Sequence, residues 1–245
     1  MAFNLFKESS NPVLKQTILD NAGYVNRSES MTASGAVNKT LFLAVLLVIG
    51  ADFGWTFPNK LFLLPAAILG LVLVLIASFK KEWSPFIAPI YAIVEGVFVG
   101  AVSLAYSYAF DGIIFHAVSL TIGVLFLMLF LYKAKIIQVT QRLRSVIIMA
   151  TGAIMLTYLV SFVLSFFNIQ VPMIHSTGLL GIGFSLVVVV IASLNLLLDF
   201  DFFEKGQQAG LPKHMEWFAG MGLIITLVWL YLEILRLLSK FTSRD

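Results

Sequence analysis

SLVVVVIASLNLLLDFDFFEKG, residues 185–206, decides the fold. It carries no charge as far as Leu198 and then places Asp199 and Asp201 two residues apart. The uncharged run starts well upstream, since no Asp, Glu, Lys or Arg occurs between Ser145 and Leu198. A water-soluble fold of 245 residues, 60% hydrophobic and 12% charged, could not cover that much apolar surface. A bilayer can. Crossing about 30 Å of hydrocarbon takes about 20 predominantly apolar helical residues. Seven stretches qualify, near 38–57, 61–79, 86–109, 113–132, 145–167, 178–200 and 215–238. A transmembrane barrel would need segments of about 10 residues that alternate apolar and polar. Neither LFLLPAAILGLVLVLIASF (61–79) nor SLVVVVIASLNLLL (185–198) alternates, so the backbone has to satisfy itself within helices. The sequence predicts an all-α polytopic membrane protein with seven crossings.

Around that core, residues 1–36 read as a polar cytoplasmic leader, residues 37–240 as the transmembrane domain and residues 241–245 as a short tail. The leader lacks the apolar middle and small-residue cleavage site of a signal peptide. With no cysteine, neither disulfides nor thiolate metal sites are available. Trp55, Trp83 and Trp217 fall near predicted span ends, where an amphipathic indole prefers to lie. Basic residues set the orientation. With the N-terminus inside, Lys39, Lys80, Lys81, Lys133, Lys135, Arg142, Arg144, Lys205 and Lys213 all collect on the cytoplasmic side, and the first three outer loops hold only Lys60. Lys240 and Arg244 run against this rule, and a last segment that re-enters would remove the conflict. The net charge of +3 reflects topology and anionic headgroups, not nucleic acid.

An ionisable side chain at depth costs about 2.5–3.5 kcal/mol, so it usually faces the bundle interior and has a partner. Asp52, one turn from Trp55, reads as an interfacial acid. Glu95, in YAIVEGVFVGAVSLAYSYAF, falls near mid-membrane beside the G-x-x-x-G of Gly96 and Gly100, which permits close helix approach. It is either functional or a neutral, hydrogen-bonded structural acid. Asp199 and Asp201 lie on roughly opposite helix faces. Asp201 is expected to look toward the wet cytoplasmic interface, and Asp199 toward the bundle as a proton-sensitive latch. Glu233 and Arg236, three apart, are expected to form a structural ion pair. His116, His175 and His214 are isolated, and H-E-x-x-H, G-x-S-x-G and P-loop motifs are absent, so catalysis is not expected.

EGVFVG in the third span, LLLDFDFF closing the sixth, PKHMEWF after it and LYLEILRLLSK in the seventh together make the chain, from Met31 to Lys240, similar to the Bax inhibitor-1 family in its bacterial YccA-like branch. The resemblance implies six helices wrapped around a central seventh in a bacterial cytoplasmic membrane. It also implies a pH-sensitive calcium leak and modulation of stress responses and membrane proteases. In the implied gate, an Asp ending the sixth helix shares a proton with an Asp in the seventh. Asp199 matches the first. Aligned on Arg236, the second falls on Thr226; a register placing it at Glu233 would need a longer loop. Lys81 occupies a basic position that pairs with the latch in some members. With the second acid missing, the expected replacement is a dyad of Asp199 with Glu95, bridged by Thr226 or water, which would also offer calcium a weak set of oxygen ligands. No cofactor is expected; calcium enters as cargo. Two functions follow. One is a proton-gated cation leak in the lipid bilayer. The other is a membrane-embedded regulator that docks a membrane protease or another membrane complex through its leader and the basic loop KAKIIQVTQRLR (133–144).

Overall fold

The computed structural model describes residues 30–57, 60–167, 169, 171, 174 and 176–243. Most of the polar leader, His175 and Arg244 lie outside the described residues. Seven long helices follow one another: α1 Ala33–Thr56, α2 Lys60–Phe79, α3 Ser84–Ser107, α4 Ile113–Lys133, α5 Gln141–Ser165, α6 Leu179–Gln208 and α7 Met215–Thr242. A single 3-10 turn, Lys81–Trp83, precedes α3. Six are long and apolar enough to cross a membrane, and the apolar part of α2 runs from Leu63 to Phe79. The predicted all-α architecture is what forms.

Local chemistry fixes several of the starts. The Thr32 hydroxyl accepts from the Gly35 amide at 3.0 Å and caps α1, and Thr140 accepts from Leu143 at 3.2 Å and caps α5. Each cap satisfies a backbone donor that the first turn leaves open. The Thr32 cap starts α1 at Ala33, inside the stretch read as leader. The larger departure is α6, which continues to Gln208 instead of ending near residue 200. At about 1.5 Å per residue this helix is about 45 Å long, more than the hydrocarbon thickness. Asp199 and Asp201 therefore sit within a helix and not at its frayed end.

The last helix is the core. Its buried residues, among them Ala219, Met221, Ile224, Val228, Leu230 and Leu235, occur on every side, the signature of a helix covered all round. It packs on α1, α3, α4 and α6, while α2 lies mainly against α3 and α5 against α6. α5 buries only Ile147, Ile154 and Ser161, one seam at seven-residue spacing. Its remaining faces, like much of α1, α2 and α4, expose Leu, Ile, Val, Met and Phe side chains outward. An exterior this apolar belongs against lipid.

Contacts at the helix ends show the chain running to and fro. At one end the Met31 amide donates to Leu211 at 2.6 Å, Ser84 Oγ to the His214 carbonyl at 2.8 Å and Lys133 Nζ to Glu204 at 3.0 Å. Lys39, Lys80, Lys81, Lys133, Lys135, Arg142, Arg144, Lys205 and Lys213 belong to this basic face. At the opposite face Lys240, 5% exposed, donates to the Gly181 carbonyl at 2.9 Å and to Ser185 Oγ at 2.8 Å. The seventh helix thus runs the full length of α6 and does not turn back. Lys240 is a buried donor, so it is not the free loop charge that the orientation rule counts.

Candidate functional site

Asp199 projects from α6 into a cavity of about 260 Å³ near the basic face, walled by Phe202, Phe203, Phe218, Ala219 and Gly222, with Arg144 from α5 at one side. Gly222 leaves room for the acid: a Cβ there would stand 3.9 Å from Asp199 Oδ1, ordinary contact. The Thr226 hydroxyl, one turn along α7, is a neighbour of the Asp199 carboxylate and donates to the Gly222 carbonyl at 3.3 Å. Asp199 Oδ2 is buried with no hydrogen-bond partner. Of the expected latch residues, the structure brings Asp199 and Thr226 together.

Glu95 is elsewhere. It lines a separate cavity of about 250 Å³ with Gly70, Leu71, Val74, Tyr91 and Phe98, and its Oε2 lies against the bare α-carbon of Gly70 on α2. The expected Asp199 and Glu95 dyad is not assembled. Both acids have the right depth, but the rotation of α3 turns Glu95 to α2 and gives α7 other residues, such as Ser103, which bonds Tyr231 at 2.6 Å. In separate cavities the two acids cannot ligate one calcium jointly. Among the described residues no three His, Cys, Asp or Glu side chains cluster around a metal position.

Asp201 also departs from expectation. It is 6% exposed, held by Arg144 Nη2 and by Lys205 Nζ at 2.8 Å, one helical turn on. The continuing α6 and the start of α5 cover the face that would otherwise have been wet. Arg144 therefore touches one carboxylate and lines the cavity of the other. The sequence places it among the residues that orient the chain and in the basic docking loop, not beside either carboxylate. Lys81 does not pair with Asp199; its Nζ lies 5.5 Å over the Phe218 ring, which forms part of the cavity wall. It is a neighbour of the site through that ring.

Glu233 and Arg236 form the expected pair at 2.9 Å. The Tyr158 hydroxyl of α5 completes it, donating to Glu233 at 2.8 Å and accepting from Arg236 at 2.7 Å. This triad sits toward the opposite face, apart from the Asp199 cavity. Glu216, 1% exposed, was not singled out by its sequence. It accepts from the Thr32 amide and hydroxyl, each at 3.0 Å, and pairs with Lys213 at 2.9 Å, pinning the start of α1 to the start of α7. His116 Nδ1 is engaged with the Gly112 carbonyl at 2.9 Å.

A family model described as Bax inhibitor 1 like matches residues 11–243. No curated protein matches the chain.

Proposed function

The chain belongs to the Bax inhibitor 1 like family, and we propose that it is a pH-gated cation leak, with calcium as cargo, whose gate is the Asp199 carboxyl. The observation that carries this reading is Asp199 Oδ2, a carboxylate oxygen buried without a partner beside a cavity. An unpaired charge there is costly, so its protonation state and the arrangement around it must change together. Two groups can respond. Thr226 can turn its hydroxyl from Gly222 to Asp199. Arg144, which rests on Asp201, can swing toward a charged Asp199, since it already lines that cavity. Moving Arg144 loosens the start of α5 from α6 and opens a path at the basic face. Protonating Asp199 returns Arg144 to Asp201 and closes it. In this reading Arg144, with Thr226, takes the part expected of a second acid. The basic face is cytoplasmic, in accord with its lysines and arginines, and the membrane is a bacterial inner membrane of the YccA-like kind.

Calcium efflux from proteoliposomes between about pH 5 and 8, a window that brackets a perturbed carboxyl, tests the gate. Asp199→Asn should flatten the pH profile. Asp201→Asn should keep a pH dependence but move it, because Arg144 loses its resting partner. A native profile in Asp199→Asn overturns the latch. The other reading, a regulator that docks a membrane protease, is favoured by Ile136, a large apolar side chain 63% exposed in the basic loop between α4 and α5. Absence of flux at every pH from the purified protein would favour that role.

A further inference from the structure

Another cavity lies away from the gate, toward the opposite face. α1 and α4 form its walls, and α3 and α7 its floor, enclosing about 610 Å³, within the range of about 300–1,000 Å³ seen in small-molecule sites. Its floor is dry in chemical terms, because the Ser103 and Tyr231 hydroxyls bond each other at 2.6 Å and offer little to water. Its outer rim is formed by Val48, Val118 and Ile122, which are 65%, 41% and 48% exposed, so the crevice opens sideways between the two helices to the surroundings of the bundle. A dry apolar space open to a bilayer is filled by hydrocarbon.

One polar group stands at its edge. Asp52, exposed on α1 one turn before the helix ends, lines the same crevice beside Trp55. None of the ion pairs or hydrogen bonds among the described residues engages it. Trp55 marks the headgroup level, so the carboxylate stands among the headgroups, above the apolar crevice. We propose that this crevice is a lipid-binding site that takes an acyl chain of a bilayer phospholipid whose headgroup ends in a primary ammonium, with Asp52 receiving the ammonium. A primary ammonium carries a compact charge and donates hydrogen bonds to a carboxylate, whereas a choline has no N–H and a glycerol headgroup leaves a net negative charge facing Asp52.

Trp55 supplies its own reporter. The full-length protein is reconstituted in phosphatidylcholine vesicles containing small fractions of brominated phosphatidylethanolamine, phosphatidylcholine or phosphatidylglycerol. Quenching specific to Trp55 is the difference between the native protein and Trp55→Phe. Brominated phosphatidylethanolamine should quench Trp55 at a mole fraction about two- to fivefold lower than either competitor, the size of a rim ion pair. Asp52→Asn should erase that preference and Asp52→Glu should restore it, which separates loss of charge from loss of structure. Val118→Phe, filling the crevice, should weaken quenching by all three lipids. Equal quenching by the three headgroups in the native protein, a preference that survives Asp52→Asn, or no quenching specific to Trp55 would each overturn the proposal.

Discussion

Glu233 is 2% exposed, with Oε1 engaged by Arg236 and Tyr158 and Oε2 buried without a partner. Such a group tolerates loss of its whole network better than loss of its cation. Arg236→Met should destabilise the protein by about 3–5 kcal/mol, whereas Glu233→Leu with Arg236→Met should come close to neutral, because only the first leaves a lone buried charge. Thermal unfolding in detergent reads the difference, and equal losses would argue against the pair. The pair was legible because spacing of three on one helix fixes adjacency whatever the tertiary fold. Tyr158 was not legible, being 75 residues from Glu233, and neither was Arg144, 57 residues from Asp201. Asp199 and Thr226 are the neighbours that the family resemblance implies when the seventh helix is aligned on Arg236, and depth counted along each span then put Glu95 at the level of Thr226. Rotation could not be counted, since α3 is apolar on several faces and its hydropathy does not say which neighbour Glu95 sees.

At the level of elements, the close crossing of α1 and α3 sets the frame against which α7 is packed. The G-x-x-x-G of Gly96 and Gly100 was readable as a packing signal, but its partner was not: α1 presents Gly50 and Gly54 at the same spacing. A Cβ on Gly96 would run into the Leu47 carbonyl, and one on Gly100 into the Ala51 carbonyl, both backbone atoms that cannot yield. Gly96→Ala and Gly100→Ala should each cost about 1–3 kcal/mol by forcing the helices apart. Gly152→Ala meets nothing within 4 Å and should be neutral or stabilising by up to about 1 kcal/mol through helix propensity. Melting temperatures of the three variants decide it; a loss in Gly152→Ala equal to that in Gly100→Ala would show that helix contact is not the cause. The seven helices themselves were plain from hydropathy, six of them long and apolar enough to cross a membrane. The end of α6 was misplaced because charged residues ordinarily mark the water boundary, and here Arg144 and Lys205 keep Asp201 inside the protein.

On the scale of the whole molecule, the two faces differ in chemistry, and the proposed orientation in the bilayer rests on that difference. The basic face carries the Asp199 cavity and the lysines and arginines of the loops, while the opposite face carries the Glu233 triad, buried Lys240 and the crevice lined by Asp52. On a simple count of charges, Lys240 and Arg244 favour folding the last segment back, and of the two Lys240 lies among the described residues. Its ammonium is instead spent on Gly181 and Ser185 at the start of α6, while Glu216, at the other end of the same helix, holds Thr32. One helix therefore joins both faces, and the first and last described helices have their outer ends on opposite sides of the bundle. Reporters fused before Met1, in the loop Lys133 to Arg144 and after Asp245 should place the first two together in the cytoplasm and the third across the membrane. Lys240→Leu should leave that outcome unchanged, because a side chain buried against α6 has little weight as an orientation signal. If the third reporter joined the other two, the seventh crossing would be wrong; if Lys240→Leu alone moved it, Lys240 would be acting as a topological charge after all.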